Sequence, residues 1–302
     1  MARNRNNRQL RLILLSLAGV ALLGSAPVFA RVKAFVSIAP QAYLVRAVGG
    51  SSVDVEILVP PGQSPATYEP TPQQLARLAG ADVLFTTGVA FEKRLLEKIT
   101  KEFPGLRIVP THSDITLRPI ERHSDHGHSH GTLDPHVWLD PKLAAVQAQA
   151  IAAALGEMRP SETDSFGDNL ENLLDRIDSV DTAIRNILAP VRGKTMYVFH
   201  PAYGYFADAY GLKQVAIETD GKEPSARQLA ALIDRASRDS VEVLFVQPQF
   251  SGRQAASVGQ SIGARVETLD PLAENYLSNL LEMAHKIASA LAGDKEQGSV
   301  SD

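Results

Sequence analysis

A long helical pattern near the middle of the chain constrains the fold more than any other feature. Between positions 161 and 189, apolar residues recur at steps of three and four, as on the buried face of an amphipathic helix. At about 1.5 Å per residue, such a helix is roughly 40 Å long, about the height of a compact lobe. The segment 161–189 is therefore predicted to be a rigid connector between two halves of the protein. Its apolar positions are Phe166, Leu170, Leu173, Leu174, Ile177, Val180, Ile184, Ile187 and Leu188.

Short β-rich runs alternate with helical patterns on both sides of this connector. Before it stand VKAFVSIAP, VDVEILVPPG, ADVLFTTG and LRIVPTHS, and after it stand TMYVFH, LKQVAIET, VEVLFVQPQF and ARVETLD. Such alternation is typical of βαβ units and of mostly parallel sheets. The sequence therefore predicts an α/β protein of two lobes with helix-flanked parallel sheets. The N-terminal lobe is expected at 31–160, with the connecting helix at 161–189 and the C-terminal lobe at 190–302.

Several helix boundaries are visible in the same pattern. Thr71 and Pro72 look like an N-cap and a first helical residue, and Asp140 and Pro141 open a second helix in the same way. The last helix is predicted to begin at about Leu272.

The first thirty residues resemble an export signal. Four arginines precede the apolar run LILLSLAGVALLG, and Val28 and Ala30 fit a small-residue cleavage site. We therefore expect residues 1–30 to be a signal peptide that is cleaved near Ala30, which leaves a soluble periplasmic protein. An uncleaved membrane anchor is the alternative, and the shortness of the apolar run disfavours it.

Charge and cysteine content exclude several classes of partner. The chain has 30 basic and 34 acidic residues, and loss of the four signal arginines leaves 26 against 34, a net charge of −8. Such a surface argues against nucleic acid and anionic membranes as partners. Because the sequence has no cysteine, neither disulfides nor thiolate metal ligands are available.

Histidine is concentrated in one stretch, ERHSDHGHSHGTLDPHVWLD, which holds five of the eight histidines in the chain. Four of them lie among Ser, Gly and Asp in a His-rich loop at 121–131, where neutral imidazoles would bind divalent metal weakly. The alternative is a solvated insert with incidental histidines. These four possible auxiliary ligands are His123, His126, His128 and His130.

Three further side chains could form an ordered metal site. His200 ends TMYVFH, Asp270 ends ARVETLD, and His136 precedes the helix that starts near Asp140. Ligands bind outside the carboxyl ends of parallel strands. Two imidazoles and a carboxylate suit Zn(II), Mn(II) or Fe(II), and nitrogen ligands favour zinc. Each residue also has an ordinary structural interpretation as a turn, a cap or a satisfied polar group. Asp134 is either a turn residue or a hydrogen-bond partner of a ligating imidazole.

Five motifs occur in a characteristic order: TYEPTPQQL, DPHVWLDP, FHPAYGYFADAYGL, VQPQFS and LDPL. Together they resemble those of the metal-specific solute-binding proteins of ABC importers, the zinc and manganese receptors of cluster A-I. The resemblance covers essentially the whole chain after the signal, and implies two lobes bridged by a rigid helix, with metal held in the cleft. It also implies that His136, His200 and Asp270 are three of four ligands. His-rich insertions are usual in the zinc-type receptors, so the resemblance favours zinc.

The fourth ligand of the family is missing. The family usually has histidine at the position of Ala66 in SPATYEP, and alanine offers no donor atom. Water or a histidine of the loop at 123–130 could take its place, and Gln63 and Glu69 are weaker candidates. Loss of metal binding altogether is the remaining alternative.

The predicted function is that of a monomeric periplasmic receptor which captures a divalent metal, most readily zinc, and delivers it to an ABC permease in the inner membrane. One alternative is a metal chaperone or buffer that acts through the His-rich loop. Another is a zinc-dependent hydrolase, because two histidines, an aspartate and an open position also describe catalytic zinc. No motif supplies a general base, such as the glutamate of H-E-x-x-H, so we expect the protein not to be an enzyme.

Overall fold

The computed structural model describes residues 30–120, 133–218 and 226–292. The predicted signal peptide, apart from Ala30, and the predicted His-rich loop lie outside these ranges.

The first lobe is built on a sheet of four parallel strands in the order β2-β1-β3-β4. The strands are β1 (Val32–Val36), β2 (Val53–Ile57), β3 (Val83–Thr86) and β4 (Arg107–Pro110). All residues of β3 are buried, as expected for a strand covered by helices on both faces. The helices of this lobe are α1 (Ala39–Gly49), α2 (Pro72–Leu78), α3 (Ala90–Glu102) and α4 (Pro141–Met158).

The second lobe repeats this plan with four parallel strands in the order β6-β5-β7-β8. They are β5 (Thr195–Val198), β6 (Lys213–Ala216), β7 (Val243–Val246) and β8 (Arg265–Thr268). The accompanying helices are α6 (Gly204–Tyr210), α7 (Ala226–Arg238), α8 (Gly252–Ile262) and α9 (Tyr276–Ala292). The predicted fold class, two α/β lobes with parallel sheets, is confirmed.

The connector is a 26-residue helix, α5 (Thr163–Leu188), with a short 3-10 turn at each end. It packs against α4 of the first lobe and against α9 of the second. Its buried apolar residues belong to the predicted face, and a single hydrophobic core passes through both lobes. The helix therefore joins the lobes through packing as well as through the chain. These buried residues are Phe166, Leu173, Ile177, Ile184 and Leu188.

Local helix signals operate as predicted at two N-termini. The Thr71 hydroxyl accepts a hydrogen bond from the Gln74 amide at 3.2 Å in a complete capping box. The Asp140 carboxylate accepts one from the Lys142 amide at 2.9 Å, so the segment at His136 leads directly into α4.

Two helices were not predicted, and the last helix begins later than predicted. Helix α1 was not predicted: its first residues, Ala39 and Pro40, are the last two of the run VKAFVSIAP, and no side chain caps the helix. The short helix α6 lies inside a motif that was not assigned a helix. The last helix begins at Tyr276 rather than at about Leu272, because Asp270 and Pro271 use their polar groups to hold a turn at the cleft.

Within the described ranges, no helix is both long and apolar enough to cross a bilayer.

Candidate metal site

The carboxyl edge of the second sheet carries a row of polar side chains, one after each strand. Glu218 follows β6, His200 follows β5, Gln247 follows β7 and Asp270 follows β8. Because the strands stand in the order β6-β5-β7-β8, the four residues follow one another along the edge in that same order. His200 lies where the strand order reverses, the place at which open α/β sheets bind ligands.

His200 is held by both of its neighbours on this edge. Its Nδ1 lies 2.6 Å from Oε2 of Glu218, a carboxylate that is 3% exposed. Its carbonyl oxygen accepts a hydrogen bond of 3.0 Å from Nε2 of Gln247. Burial lowers the pKa of His200, against the opposing effect of its hydrogen bond to Glu218. The ring is therefore neutral near pH 7, the form in which an imidazole binds metal.

His136 has an equivalent carboxylate partner. Its Nδ1 lies 2.7 Å from Oδ1 of Asp134, which also accepts a hydrogen bond of 3.0 Å from the His136 amide. The Tyr205 hydroxyl of the second lobe donates to the Asp134 carbonyl at 3.0 Å and so fixes this turn from the opposite side. An ionised carboxylate only accepts hydrogen bonds, so Nδ1 donates in both histidines and Nε2 keeps its lone pair for a metal. Asp134 is thus the imidazole partner that the sequence allowed.

The two imidazoles face each other across the lobes. Their ring centroids are 5.3 Å apart, with an angle of 77° between the ring planes. Trp138 flanks the His136 ring at 5.2 Å, and Phe250 flanks the His200 ring at 5.3 Å. Two of the three predicted ligands are therefore in contact, and aromatic rings limit their movement.

Asp270 is not brought into this cluster. Asp270 follows β8, which β7 separates from the strand of His200. The Asp270 carboxylate instead accepts hydrogen bonds from Nε2 of Gln249 at 2.9 Å and from the Leu272 amide at 3.0 Å. Among the residues that the structure describes, no three His, Asp or Glu side chains stand close enough to hold a metal ion.

His136 and His200 open into a cleft of about 260 Å³. Its opposite wall comes from the first lobe, at positions 64–66 and 88–90, and it includes Ala66. Gln63 and Glu69, the weaker candidates for the missing ligand, are not among its lining residues, and Glu69 faces Arg94 at 3.6 Å on the surface.

The residues that flank the predicted His-rich loop reach the same cleft. Ile120 and Leu133 line it, and Leu133 forms an antiparallel bridge with Pro119. The Asp134 amide also donates to the Arg118 carbonyl at 2.8 Å. The four histidines of the loop lie outside the described residues, but the two ends of the loop are held together at the cleft.

Comparison with known proteins identifies the family. Residues 35–290 match the family described as "Zinc-uptake complex component A periplasmic", ZnuA. The chain belongs to this family. It is 27% identical over 305 residues to the high-affinity zinc uptake system protein ZnuA of Yersinia pestis, which covers 91% of this chain and 96% of that protein. It is 30% identical over 230 residues to the protein of the same name in Bacillus subtilis, with 72% of each chain covered.

Solved structures of the ZnuA family share the fold. A crystal structure of ZnuA superposes with a TM-score of 0.80 at 38% identity, covering 87% of this chain and 99% of that one. A zinc-bound ZnuA deletion mutant gives a TM-score of 0.79 at 39% identity, covering 87% and 98%. The periplasmic zinc-binding protein TroA from Treponema pallidum, at 21% identity and a TM-score of 0.76, is similar in fold. The predicted resemblance to zinc and manganese solute-binding proteins is confirmed.

Two residues of the site were not found from the sequence of this ZnuA family member. Glu218 and Gln247 follow the observed strands but lie inside the predicted runs LKQVAIET and VEVLFVQPQF, so a rule that takes the last residue of each run does not select them. Gln247 lies in the VQPQFS motif and Glu218 lies in none of the five motifs, but the role of both residues depends on which strands are neighbours.

Proposed function

We propose that this chain is a periplasmic receptor which binds zinc in the cleft between its lobes and delivers it to an ABC permease in the inner membrane. The observation that carries the proposal is the pair of facing imidazoles, His136 and His200, each with its Nδ1 on a buried carboxylate. Such partners fix the ring orientation and raise the basicity of the nitrogen that binds metal. The relatives named as zinc uptake proteins support zinc as the cargo.

The proposed ligand set starts from the two imidazoles. Nε2 of His136 and Nε2 of His200 would bind the ion, and Asp270 is the proposed third ligand for the bare ion. Gln249 and Leu272 both donate their hydrogen bonds to Oδ1 of Asp270, so Oδ2 is the oxygen proposed to bind the ion. Water or a histidine from the loop at 123–130 would complete four-coordination, since Ala66 has no donor atom. Nitrogen ligands favour zinc over Mn(II) and Fe(II).

The remaining features of the proposal agree with a receptor. Residues 1–30 would direct export and be removed near Ala30, and the mature chain would act as a monomer. The cargo is bound and released without chemical change, so the protein would not be an enzyme. No nucleic acid takes part.

Zinc titration of single-site variants tests the proposal. We expect His136→Ala and His200→Ala each to weaken zinc binding by at least about a hundredfold, because each removes a coordinate bond and leaves its partner carboxylate unpaired. His285→Ala, an exposed histidine on α9, is the matched control and should leave the dissociation constant unchanged.

The alternative functions give different results. If deletion of residues 123–130 abolishes tight zinc binding while His200→Ala retains it, the protein is a chaperone or buffer that acts through the loop. Hydrolysis of generic esters or phosphoesters by the zinc-loaded protein would instead favour the hydrolase.

A further inference from the structure

The cleft is larger than a single metal ion requires. One water molecule occupies about 30 Å³ in the liquid, so a volume of about 260 Å³ could hold several. Sites for small organic molecules begin at about this size. The volume beside the two imidazoles is therefore large enough for a small molecule.

Most of the cleft lining is apolar. A hydrated ion is best surrounded by hydrogen-bonding groups, and apolar walls offer it none. The apolar walls of this cleft would instead make van der Waals contacts with a small organic molecule. The apolar lining includes Pro65, Ala66, Val89, Leu133, Phe250 and Leu272.

The polar lining side chains already make hydrogen bonds, although Oε1 of Gln247 is buried and has no hydrogen-bond partner among the described residues. Gln247 donates to the His200 carbonyl, Gln249 donates to Asp270, and the Ser64 hydroxyl accepts from the Ala66 amide at 3.3 Å. The two Nε2 atoms of His136 and His200 are the groups that would anchor a ligand through coordination. A largely apolar cavity with a few fixed polar anchors is the usual form of a small-molecule site.

We propose that the cleft accepts zinc together with a small organic chelator that supplies one nitrogen and one oxygen donor from an apolar body. This inference rests on the proposed function. The two imidazoles would fill two of the four positions of the ion, and the chelator would fill the other two. Its body would occupy the space beside Ala66, where a histidine side chain would be both a competing ligand and an obstacle. Asp270 would then not be required as a ligand.

Charge limits the chelator as well. Asp134 and Glu218 are 1% and 3% exposed, and each lies directly behind one imidazole. Both side chains are acidic, and a ligand with several acidic groups would place more of them beside this pair. The chelator should therefore carry at most one negative charge, as an amino acid or a pyridine carboxylate does.

Co-retention of zinc and a chelator tests the inference. The full chain is mixed with zinc, with picolinate (pyridine-2-carboxylate), or with both, and is then desalted and assayed for each. We expect picolinate to be retained at one equivalent only when zinc is present. We also expect saturating picolinate to lower the dissociation constant of zinc by at least about tenfold. Ala66→His should greatly reduce retention of picolinate, whereas Ala79→His, an exposed alanine after α2, should not.

The contrary outcomes are separable. Tight binding of zinc with no retention of picolinate would overturn the inference and leave the proposed function standing. The same holds if picolinate removes zinc from the protein. Failure to retain zinc under any condition would overturn the proposed function itself.

Discussion

Nδ1 of His200 and Oε2 of Glu218 lie 2.6 Å apart, although the two residues are separated by 18 positions in the chain. The contact exists because β5 and β6 are neighbours in the sheet, so the residues that follow them meet at its edge. It turns Nε2 of His200 toward the cleft and makes Glu218 a positioning residue for metal binding.

Replacing Glu218 should weaken zinc binding without removing a ligand. We expect Glu218→Ala to raise the dissociation constant of zinc by about 10- to 100-fold, the usual effect of losing such a partner. Glu218→Gln keeps an acceptor for Nδ1 and should have a smaller effect. Isothermal titration of the variants with zinc measures the difference. Glu282→Gln, an exposed glutamate on α9, is the control, and an equal loss in Glu218→Gln and Glu218→Ala would contradict a hydrogen-bonding role.

Zinc affinity should fall as pH decreases from about 7 to about 5, because protons compete for imidazole ligands. Burial lowers the pKa of His200, so its share of this loss should appear below the ordinary histidine range.

The same pKa shift affects the stability of the metal-free protein. The unfolded chain takes up this proton first, so the stability contributed by neutral His200 is lost as pH falls below about 6.5. Competition titrations and urea unfolding at a series of pH values measure the two effects. A dissociation constant independent of pH over this interval would exclude imidazole ligation.

Much of the fold could be predicted because its signals are local. Each of the eight strands overlaps a predicted run, and α5 follows from apolar spacing alone. Helix α1 was missed for a local reason as well, since its start at Ala39 and Pro40 falls within the β-rich run VKAFVSIAP and no side chain caps it.

The site could be predicted only in part because it depends on strand order. Sequence position places His200 and Asp270 at strand ends, yet it does not reveal that β7 lies between their strands. The order β6-β5-β7-β8 puts Asp270 two strands away from His200 and brings Glu218 beside His200. Ala66, by contrast, is visible in the sequence directly, because a missing donor needs no tertiary information.

Trp138 should report zinc binding by fluorescence. It is the only tryptophan in the chain, it is 1% exposed, and its ring lies 5.2 Å from that of His136. Coordination of His136 would place a divalent charge near the indole, so we expect its emission to change and to saturate at one equivalent of zinc. The change should be absent in His136→Ala. If a variant that lacks residues 123–130 loses the signal while His136→Ala keeps it, zinc binds elsewhere.

Glu92 should make the stability of the first lobe depend on pH. Its carboxyl group is 3% exposed and accepts hydrogen bonds from the Thr87 amide at 2.9 Å and the Gly88 amide at 2.7 Å. Burial raises its pKa from 4.5 to about 7. Because the folded state holds this proton more tightly, the resulting stabilisation is complete below about pH 4.5 and is lost as pH rises through about 7. The full change in the free energy of unfolding is about 3 kcal/mol.

Glu92→Gln tests this dependence. The variant cannot ionise, and its amide NH2 cannot accept one of the two backbone hydrogen bonds, so we expect a constant loss of about 1–3 kcal/mol. The free energy of unfolding in urea is measured for both proteins from about pH 5 to about pH 8. Subtracting the value of the variant from that of the wild type at each pH cancels the contributions of other titrating groups. The advantage of the wild type should shrink as pH rises. Glu97→Gln, an exposed glutamate on the same helix, should show no such trend. A difference in unfolding free energy that does not change with pH would mean that Glu92 stays ionised. The Gly88 amide in the wall of the cleft would then donate its hydrogen bond to a buried charge.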